Sequence, residues 1–385
     1  MTSIYAVPMI PCQRHLFDIP DEIIYLNCAY ISPLLKSVRQ SGLTGVGRKS
    51  QPWQITPEDF FLSSERARNL FARIIGATCD DIALVPSASY GLAIAMANIE
   101  VKSGQNIVVI EDQFPSNVYP WRELASRESA QIHTVKRPAD DNWTKAIKAT
   151  INEQTRIVAL PNCHWTDGSL IDLIEIGALC RDVGASLVLD VTQSLGALPF
   201  DVAAVKPDYL SCAAYKWLLG PYSMGFCYVA PHLQEGQPLE YSWMQRAGSE
   251  NFSNLVAYRD EYQIGARRYD VGEHSNFALM PMVIAALEQL LAWKIQTIYD
   301  TLSARNLYIA ERASSLGLSS VSDQHRAGHF LGLRCKNGIP KGLLQRLASR
   351  NVYVSARGNS IRVTPHLWNS DSDIDRFFEA LDTEF

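Results

Sequence analysis

Short, β-rich apolar segments alternate with helical patterns from about residue 63 to residue 230 of this 385-residue chain. The segments at 106–110 and 225–229 are almost continuously apolar, which is typical of strands that are buried on both faces. Strands of this kind that alternate with helices form a mostly parallel sheet covered by helices on both faces. We therefore predict an α/β fold for this part of the chain.

Ligand-binding residues in such a sheet are expected at the carboxyl ends of the strands. The predicted helices cover residues 63–75, 91–97 and 170–183, and the predicted strands cover 82–85, 106–110, 132–135, 155–160, 185–190, 209–212 and 225–229. Asp190 ends one of these strands, and Ser87, Ala88 and Ser89 follow another. These residues are therefore predicted to lie at the same edge of the sheet.

The pattern changes after about residue 269. A long amphipathic segment at 277–301 is interrupted at Pro281, two alternating segments follow at 329–333 and 361–364, and a closing helix is predicted at 371–381. The alternating segments are typical of a half-exposed antiparallel sheet. We predict a large domain at residues 20–268 and a smaller α+β domain at 269–385, with residues 1–19 packed on the smaller domain.

Composition and charge exclude several classes of protein. The net charge is −5 and no basic stripe is present, so we expect no nucleic-acid partner. The first thirty residues contain no long apolar segment, so we expect neither a signal peptide nor a membrane span. The eight cysteines include no Cys-x-x-Cys pair, which predicts free thiols in a reducing cytoplasm and no metal site.

Lys216 lies in a turn of small residues, one β-unit after Asp190. This arrangement fits a site for pyridoxal 5′-phosphate (PLP), in which the lysine forms a Schiff base with the cofactor aldehyde and the acid keeps the pyridine nitrogen protonated. The alternative is structural, with the lysine in a solvated loop and the acid as a helix cap. The neighbouring sequence favours the PLP site.

Residues 189–196 and the pair Tyr215 and Lys216 resemble the class V aminotransferase family of fold-type I PLP-dependent enzymes. This family includes cysteine desulfurases, kynureninases and related lyases and epimerases. The resemblance covers nearly the whole chain, from residues 25–29 to the last helix. It implies a large PLP-binding domain with a mostly parallel sheet, followed by a smaller α+β domain.

The resemblance also implies roles for residues around the cofactor. The turn Ser87, Ala88, Ser89 opens a helix and would hold the cofactor phosphate, since backbone amides at a helix start face anions; an ordinary capped helix is the alternative. Gln193 would reach the phenolic oxygen of the cofactor, and Tyr215 would add a hydrogen bond to the phosphate.

Aromatic residues follow two further strands. The resemblance places Phe114 on the pyridine ring, where it can stack but cannot move protons, as in the kynureninase-like members. The alternative is that Phe114 is an ordinary core residue. Trp165 is predicted beside the cofactor, whereas the adjacent His164 is predicted to be structural rather than catalytic.

Substrate contacts are predicted near the carboxyl end of the chain. Arg362 would grip the substrate α-carboxylate, because a guanidinium forms a bidentate pair with it, and Arg357 is the rival for this role. The resemblance further implies substrate contacts by Asn27 and Ala29. It also implies a C2 homodimer with composite sites, in which residues 272–276, including Ser275 and Asn276, reach the phosphate of the neighbouring subunit.

Three classes of function remain. The preferred one is a PLP-dependent enzyme acting on an α-amino acid, as a class V aminotransferase or by side-chain elimination in the manner of kynureninases and C–S lyases. Desulfurase and epimerase chemistry rank lower, because a desulfurase needs a nucleophilic cysteine before Arg362 and Ser355 lies there instead. A non-catalytic scaffold needs none of Lys216, Asp190 and Arg362. The sequence leaves transamination and elimination open.

Overall fold

The computed structural model describes residues 9–385. Its first half contains, in chain order, β1 (Ile24–Tyr25), α1 (Lys36–Arg48), α2 (Leu62–Ile75), β2 (Ile82–Val85), α3 (Ala88–Asn98), β3 (Asn106–Ile110), α4 (Tyr119–Glu128), β4 (Gln131–Val135), α5 (Trp143–Thr150), β5 (Thr155–Pro161), α6 (Leu173–Val183) and β6 (Ser186–Asp190). Then follow α7 (Val202–Val205), β7 (Tyr209–Ala213), β8 (Gly225–Val229), α8 (Leu279–Trp293), α9 (Ile295–Ser315), β9 (Leu331–Arg334), α10 (Leu343–Ser349), β10 (Val352–Tyr353), β11 (Ser355–Arg357), β12 (Ser360–Val363) and α11 (Asp371–Leu381).

A seven-stranded sheet in the order β2-β8-β7-β6-β5-β3-β4 forms the centre of the fold. β8 runs antiparallel to both of its neighbours, and the other pairs are parallel. Every residue of β3, β6, β7 and β8 is buried, as their continuous apolar sequences predict, while β4 at the edge is partly exposed. The predicted α/β fold with a mostly parallel sheet is confirmed.

The predicted break at Pro281 is wrong. Pro281 lies in the first turn of α8, where the backbone N–H that proline lacks has no helical partner in any case. The chain instead breaks at Lys294, which has a φ of 66° and separates α8 from α9. The segment therefore forms two helices that meet at a lysine in the left-handed region.

The second sheet has the order β11-β12-β9 and is antiparallel, as the alternating segments predict. The expectation that it is half-exposed is wrong, because β12 is buried throughout and β9 is buried except at Arg334. Its second face is covered by the large sheet's loops: a Cβ on Gly332 would lie 2.5 Å from Cα of Asp167. The loop that carries Asp167 therefore leaves no room for a side chain at position 332.

Two groups of contacts bear on the predicted domains. The buried face of α8 packs with α1 and α2 and joins the main core, whereas the C-terminal core begins in α9 and includes Ile24 and Leu26 of the β1 region. Arg14 Nη1 lies 3.0 Å from Asp373 Oδ2, and Phe17 packs edge-on against Trp368. Residues 1–8 lie outside the described residues, and the division at 268/269 stays a prediction.

Within residues 9–385, no helix is long and apolar enough to cross a membrane. The same part of the chain contains no group of three or more His, Cys, Asp or Glu side chains that could hold a metal ion. All eight cysteines are free thiols, and six of them are buried.

Candidate active site

The segments that follow five parallel strands converge on one cavity of about 390 Å³. It lies at the carboxyl edge of the large sheet, because β2, β3, β5, β6 and β7 all point toward that edge. The predicted residues that line this cavity are Ser87, Ala88, Ser89, Phe114, Trp165, Asp190, Gln193, Tyr215 and Lys216. Residues far apart in the sequence thus meet in one place, as the parallel topology requires.

Lys216 is buried, with 6% of its surface exposed. Its Nζ lies 5.4 Å from the centroids of both the Phe114 and the Tyr215 rings. Burial lowers the pKa of Lys216 to about 8, against the opposing effect of Asp190, and Arg362 adds to the lowering. An amine with this pKa can take up and release a proton near neutral pH, which suits a general base or a nucleophile.

Asp190 ends β6 and points into the same cavity. Its Oδ1 accepts a hydrogen bond from the Thr192 backbone N–H at 3.0 Å. Burial raises the pKa of Asp190, while the Thr192 hydrogen bonds and Lys216 oppose this rise. A buried carboxylate is costly unless it is paired with a cation, so a positively charged nitrogen in the cavity would stabilise its ionised form.

The amino end of α3 supplies a site for an anion. Ser87 caps the helix by accepting a hydrogen bond from the Tyr90 N–H at 3.2 Å, and its hydroxyl lies 2.9 Å from that of Ser89. Helix N-termini attract anions through free amides and the helix dipole. A Cβ on Gly91 would lie 2.3 Å from Ser211 Oγ, so only glycine lets α3 pack this close to β7.

Gln193 connects the cavity to three other segments. Its Nε2 donates to the carbonyl of Ala29 at 3.0 Å, and its Oε1 accepts from Trp217 Nε1 at 3.1 Å. Nε2 of His329 lies 2.7 Å from the Gln193 carbonyl. The predicted residue Ala29 therefore supports the loop through its backbone and does not line the cavity.

Phe114 and Trp165 pack edge to face with centroids 5.4 Å apart and form one wall of the cavity. The Trp165 indole N–H donates to the carbonyl of Asp112 at 2.6 Å. His164, in contrast, is fully buried, is stacked on Trp143 and does not line the cavity. Burial lowers the pKa of His164, which agrees with the structural role expected for it.

Arg362 lies behind Trp165 and is 1% exposed. Its Nη1 donates to the Trp165 carbonyl at 3.1 Å and its Nε to Ser355 Oγ at 2.9 Å, but its buried Nη2 has no partner among the described residues. Ser355 Oγ donates to Oδ1 of the predicted residue Asn27 at 2.8 Å. Burial, and then the charge of Arg357, lower the pKa of Arg362 to about 9.

Ser275 and Asn276 do not meet Lys216 within the chain. They line a second cavity of about 630 Å³, together with aromatic residues such as Trp243. Asn276 Oδ1 accepts hydrogen bonds from the N–H groups of Ala278 and Leu279 and so caps α8. Their contact with a neighbouring subunit's phosphate stays a prediction.

Several cavity residues were not predicted from the sequence: Gln113, Ser116, Thr192, Tyr222 and Ser223. Gln113, Ser116 and Thr192 lie within two residues of predicted site residues, so their place in the sequence could have identified them. Tyr222, whose ring centroid lies 4.7 Å from that of Tyr215, reaches the cavity because β8 runs antiparallel and starts at this edge. Only the strand pairing reveals this.

Comparison with known proteins gives the family. The aminotransferase class-V family model matches residues 57–367. An uncharacterized aminotransferase of Bacillus subtilis (strain 168), YcbU, is 26% identical over 327 residues, which cover 81% of each chain. The isopenicillin N epimerase of Streptomyces clavuligerus is 22% identical over 351 residues, covering 85% of this chain and 87% of the epimerase.

Solved structures match the fold over nearly its whole length. A C-DES variant with glycine covalently linked to its PLP cofactor matches with a TM-score of 0.85 at 18% identity, covering 96% of this chain and 99% of that one. The cysteine desulfurase CsdA of Escherichia coli matches with a TM-score of 0.80 at 18% identity, covering 96% and 97%. The chain therefore belongs to the aminotransferase class-V family of PLP-dependent enzymes, with the fold of fold-type I.

Proposed function

We propose that this protein is an aminotransferase that attaches PLP covalently to Lys216 and acts on an α-amino acid. The observation that carries the proposal is the buried Lys216 amine, which faces Asp190 and the amino end of α3 across one cavity. Membership of the family supports the cofactor, and the match to an aminotransferase over 81% of both chains supports the reaction.

The donor groups of the cavity suit PLP. Ser87, Ser89 and the free amides of α3 would hold the phosphate, Asp190 would face the pyridine nitrogen, and Phe114 would pack against the ring. The buried carboxylate of Asp190 gains a cationic partner in this arrangement. When bound, PLP supplies an electron sink that makes bond cleavage at the substrate Cα feasible.

The proton-transfer groups favour transamination over epimerisation. Lys216 can take a proton from one carbon and return it to another, because burial brings its pKa to about 8. The Phe114 ring carries no titratable group, whereas inversion at a carbon is best served by proton carriers on both faces. Lys216 as the mobile base thus suits exchange of an amino group.

Desulfurase chemistry receives less support. Ser355, in the segment where a desulfurase needs its nucleophilic cysteine, is buried and hydrogen-bonded to Asn27 and Arg362. The cavity does contain Cys163, but burial raises the pKa of that thiol well above its usual range. A thiol held in the protonated form is a poor nucleophile. Side-chain elimination remains the second candidate, since it uses the same lysine.

The reaction is tested with amino acids labelled isotopically at nitrogen. Transamination transfers the label to a new amino acid once a second α-keto acid is added, and the first amino acid leaves as its keto acid. Elimination to a keto acid releases the label as ammonium, whereas kynureninase-like side-chain cleavage leaves it on alanine without any added keto acid. Epimerisation leaves it on the original carbon skeleton. Recovery of the label as ammonium with every amino acid tried would replace the proposal with a lyase.

Arg362→Lys is expected to raise KM for the amino acid at least ~10-fold while leaving covalent PLP attachment intact. A lysine cannot form the bidentate pair with a carboxylate, and a charged hydrogen bond is worth about one such factor. Steady-state kinetics and cofactor content provide the measurement. The matched control is Arg357→Lys on the neighbouring strand; if it alone raises KM for a monocarboxylate, Arg357 holds the α-carboxylate.

We further propose a homodimer in which Ser275 and Asn276 complete the phosphate site of the neighbouring subunit. Their separation from Lys216 within one chain supports this. Mixing Lys216→Ala with Asn276→Asp should then restore partial activity, since each heterodimer has one site free of both changes. Asn276→Asp keeps the oxygen that caps α8 but places a negative charge against the phosphate. No recovery in a mixture with proven subunit exchange would contradict shared sites.

A further inference from the structure

Arg357 and Arg362 project from the same face of the C-terminal sheet. In the antiparallel pair of β11 and β12, Ser355 lies opposite Arg362, and the hydrogen bond between these two side chains shows that they share a face. Arg357 is two residues beyond Ser355 and therefore lies on that face as well. The two arginines are diagonal neighbours, whose backbones are about 7–8 Å apart in such a pair.

Both guanidinium groups lie near Trp165, although neither arginine itself lines the cavity. Their Cζ atoms lie 5.4 Å (Arg357) and 5.8 Å (Arg362) from the centroid of the Trp165 ring, which lines the cavity. Arg362 is buried, whereas Arg357 is partly exposed. One cation thus lies deep beside the indole and the other lies nearer to solvent.

Within residues 9–385, neither arginine forms an ion pair with a carboxylate. Arg357 Nη1 donates only to the carbonyl of Ala356, at 2.6 Å, and Arg362 has the unpartnered Nη2. Acids in the segments around Trp165 and Asp112 pair with other cations: Asp167 pairs with Arg137 at 2.7 Å and with Arg334 at 2.8 Å, and Glu111 pairs with Lys136 at 2.8 Å. Asp112 is exposed, and its backbone carbonyl accepts the hydrogen bond from the Trp165 indole N–H.

The positive charge at this site exceeds what one substrate carboxylate neutralises. Arg357 and Arg362 are two cations beside Trp165, and one α-carboxylate neutralises one of them, while Lys216 and Asp190 line the cavity itself. Burial is the main cause of the lowered pKa of Arg362, and the charge of Arg357 lowers it further. The cofactor phosphate would be held at the amino end of α3, so it would not neutralise the charge of Arg357. A second anionic group beside Arg357 would neutralise that charge.

We propose that the substrate is an acidic α-amino acid, with its α-carboxylate on Arg362 and the carboxylate of a side chain of aspartate or glutamate length on Arg357. This inference rests on the proposed function and names the substrate class of the same site. The diagonal spacing of the two arginines suits two acid groups separated by a short chain rather than one carboxylate shared between them. The Trp165 ring would pack against that chain.

The test is calorimetric binding of glutarate and butyrate to the PLP-loaded protein, since neither compound has an amino group and neither reacts. We expect glutarate to bind about ten-fold tighter or more, because it gains a second charged pair. Arg357→Gln should remove this preference without changing the affinity for butyrate. Arg362→Gln should weaken the binding of both compounds. Catalytic efficiency with glutamate against 2-aminobutyrate provides an independent measurement.

Three results would overturn the inference. Equal binding of glutarate and butyrate, or no detectable glutarate binding, would mean that Arg357 receives no side-chain acid. An equal loss of both ligands in Arg357→Gln would mean that the two arginines share one carboxylate. Borohydride reduction followed by mass spectrometry of the Lys216 peptide is done on the same preparations. Failure of attachment there contradicts the proposed function, whereas intact attachment with no ligand preference contradicts only the substrate class.

Discussion

Lys216→Ala is expected to abolish covalent attachment of PLP and to lower turnover by about a thousand-fold or more. The variant removes both the amine that binds the cofactor and the base of the cavity. Wild-type protein incubated with PLP should show an absorption band near ~420 nm that borohydride removes, leaving the cofactor on the Lys216 peptide, as expected for a lysine-linked pyridoxal. The variant should bind PLP only reversibly, as measured by its loss on gel filtration.

Two controls keep this result interpretable. Lys145→Ala removes an exposed lysine with 78% of its side chain accessible, and it should keep both the band and the activity. Lys216→Arg retains a positive charge but cannot form the covalent bond, so it should behave like the alanine variant. If Lys216→Ala retained borohydride-trapped cofactor and normal turnover, another lysine would have to carry PLP.

Asp190→Asn is expected to leave PLP bound while lowering kcat by ~100-fold or more, the usual cost of losing one positioned charge in an active site. Asparagine has nearly the same size and can still accept the Thr192 hydrogen bond, so the loop geometry should persist. What is lost is the negative charge that would keep the pyridine nitrogen protonated. Steady-state kinetics and the bound PLP content measure the two effects separately.

Asp208→Asn is the matched control for this change. Burial raises the pKa of Asp208 as it does that of Asp190, and the Asp208 carboxylate accepts the Leu187 N–H at 2.8 Å. It precedes β7, however, and therefore lies at the opposite edge of the sheet from Lys216. Its replacement should affect stability without changing kcat. Near wild-type turnover in Asp190→Asn would mean that Asp190 has only a structural role at the end of β6.

Local sequence patterns were sufficient to predict an element when its burial is recorded in consecutive residues. The continuous apolar runs predicted β3 and β8 with their observed bounds, because strands covered on both faces have no polar side to interrupt them. The closing helix predicted at 371–381 is α11 with the same bounds, and its N-cap Ser370 accepts a hydrogen bond from the Asp373 N–H. By contrast, α1, α4, α5 and α10 were not predicted; α1, for example, packs against the distant α8.

The sequence alone determined the fold class, the edge of the sheet at which the cavity lies, and half of the residues that line it. Strand polarity is a local property, and parallel strands must present their carboxyl ends together. Only the tertiary structure decided that Tyr222 reaches this edge through antiparallel β8, and that Arg357 and Arg362 share one face beside Trp165. Such contacts depend on strand pairing and register between distant segments, which no local pattern encodes.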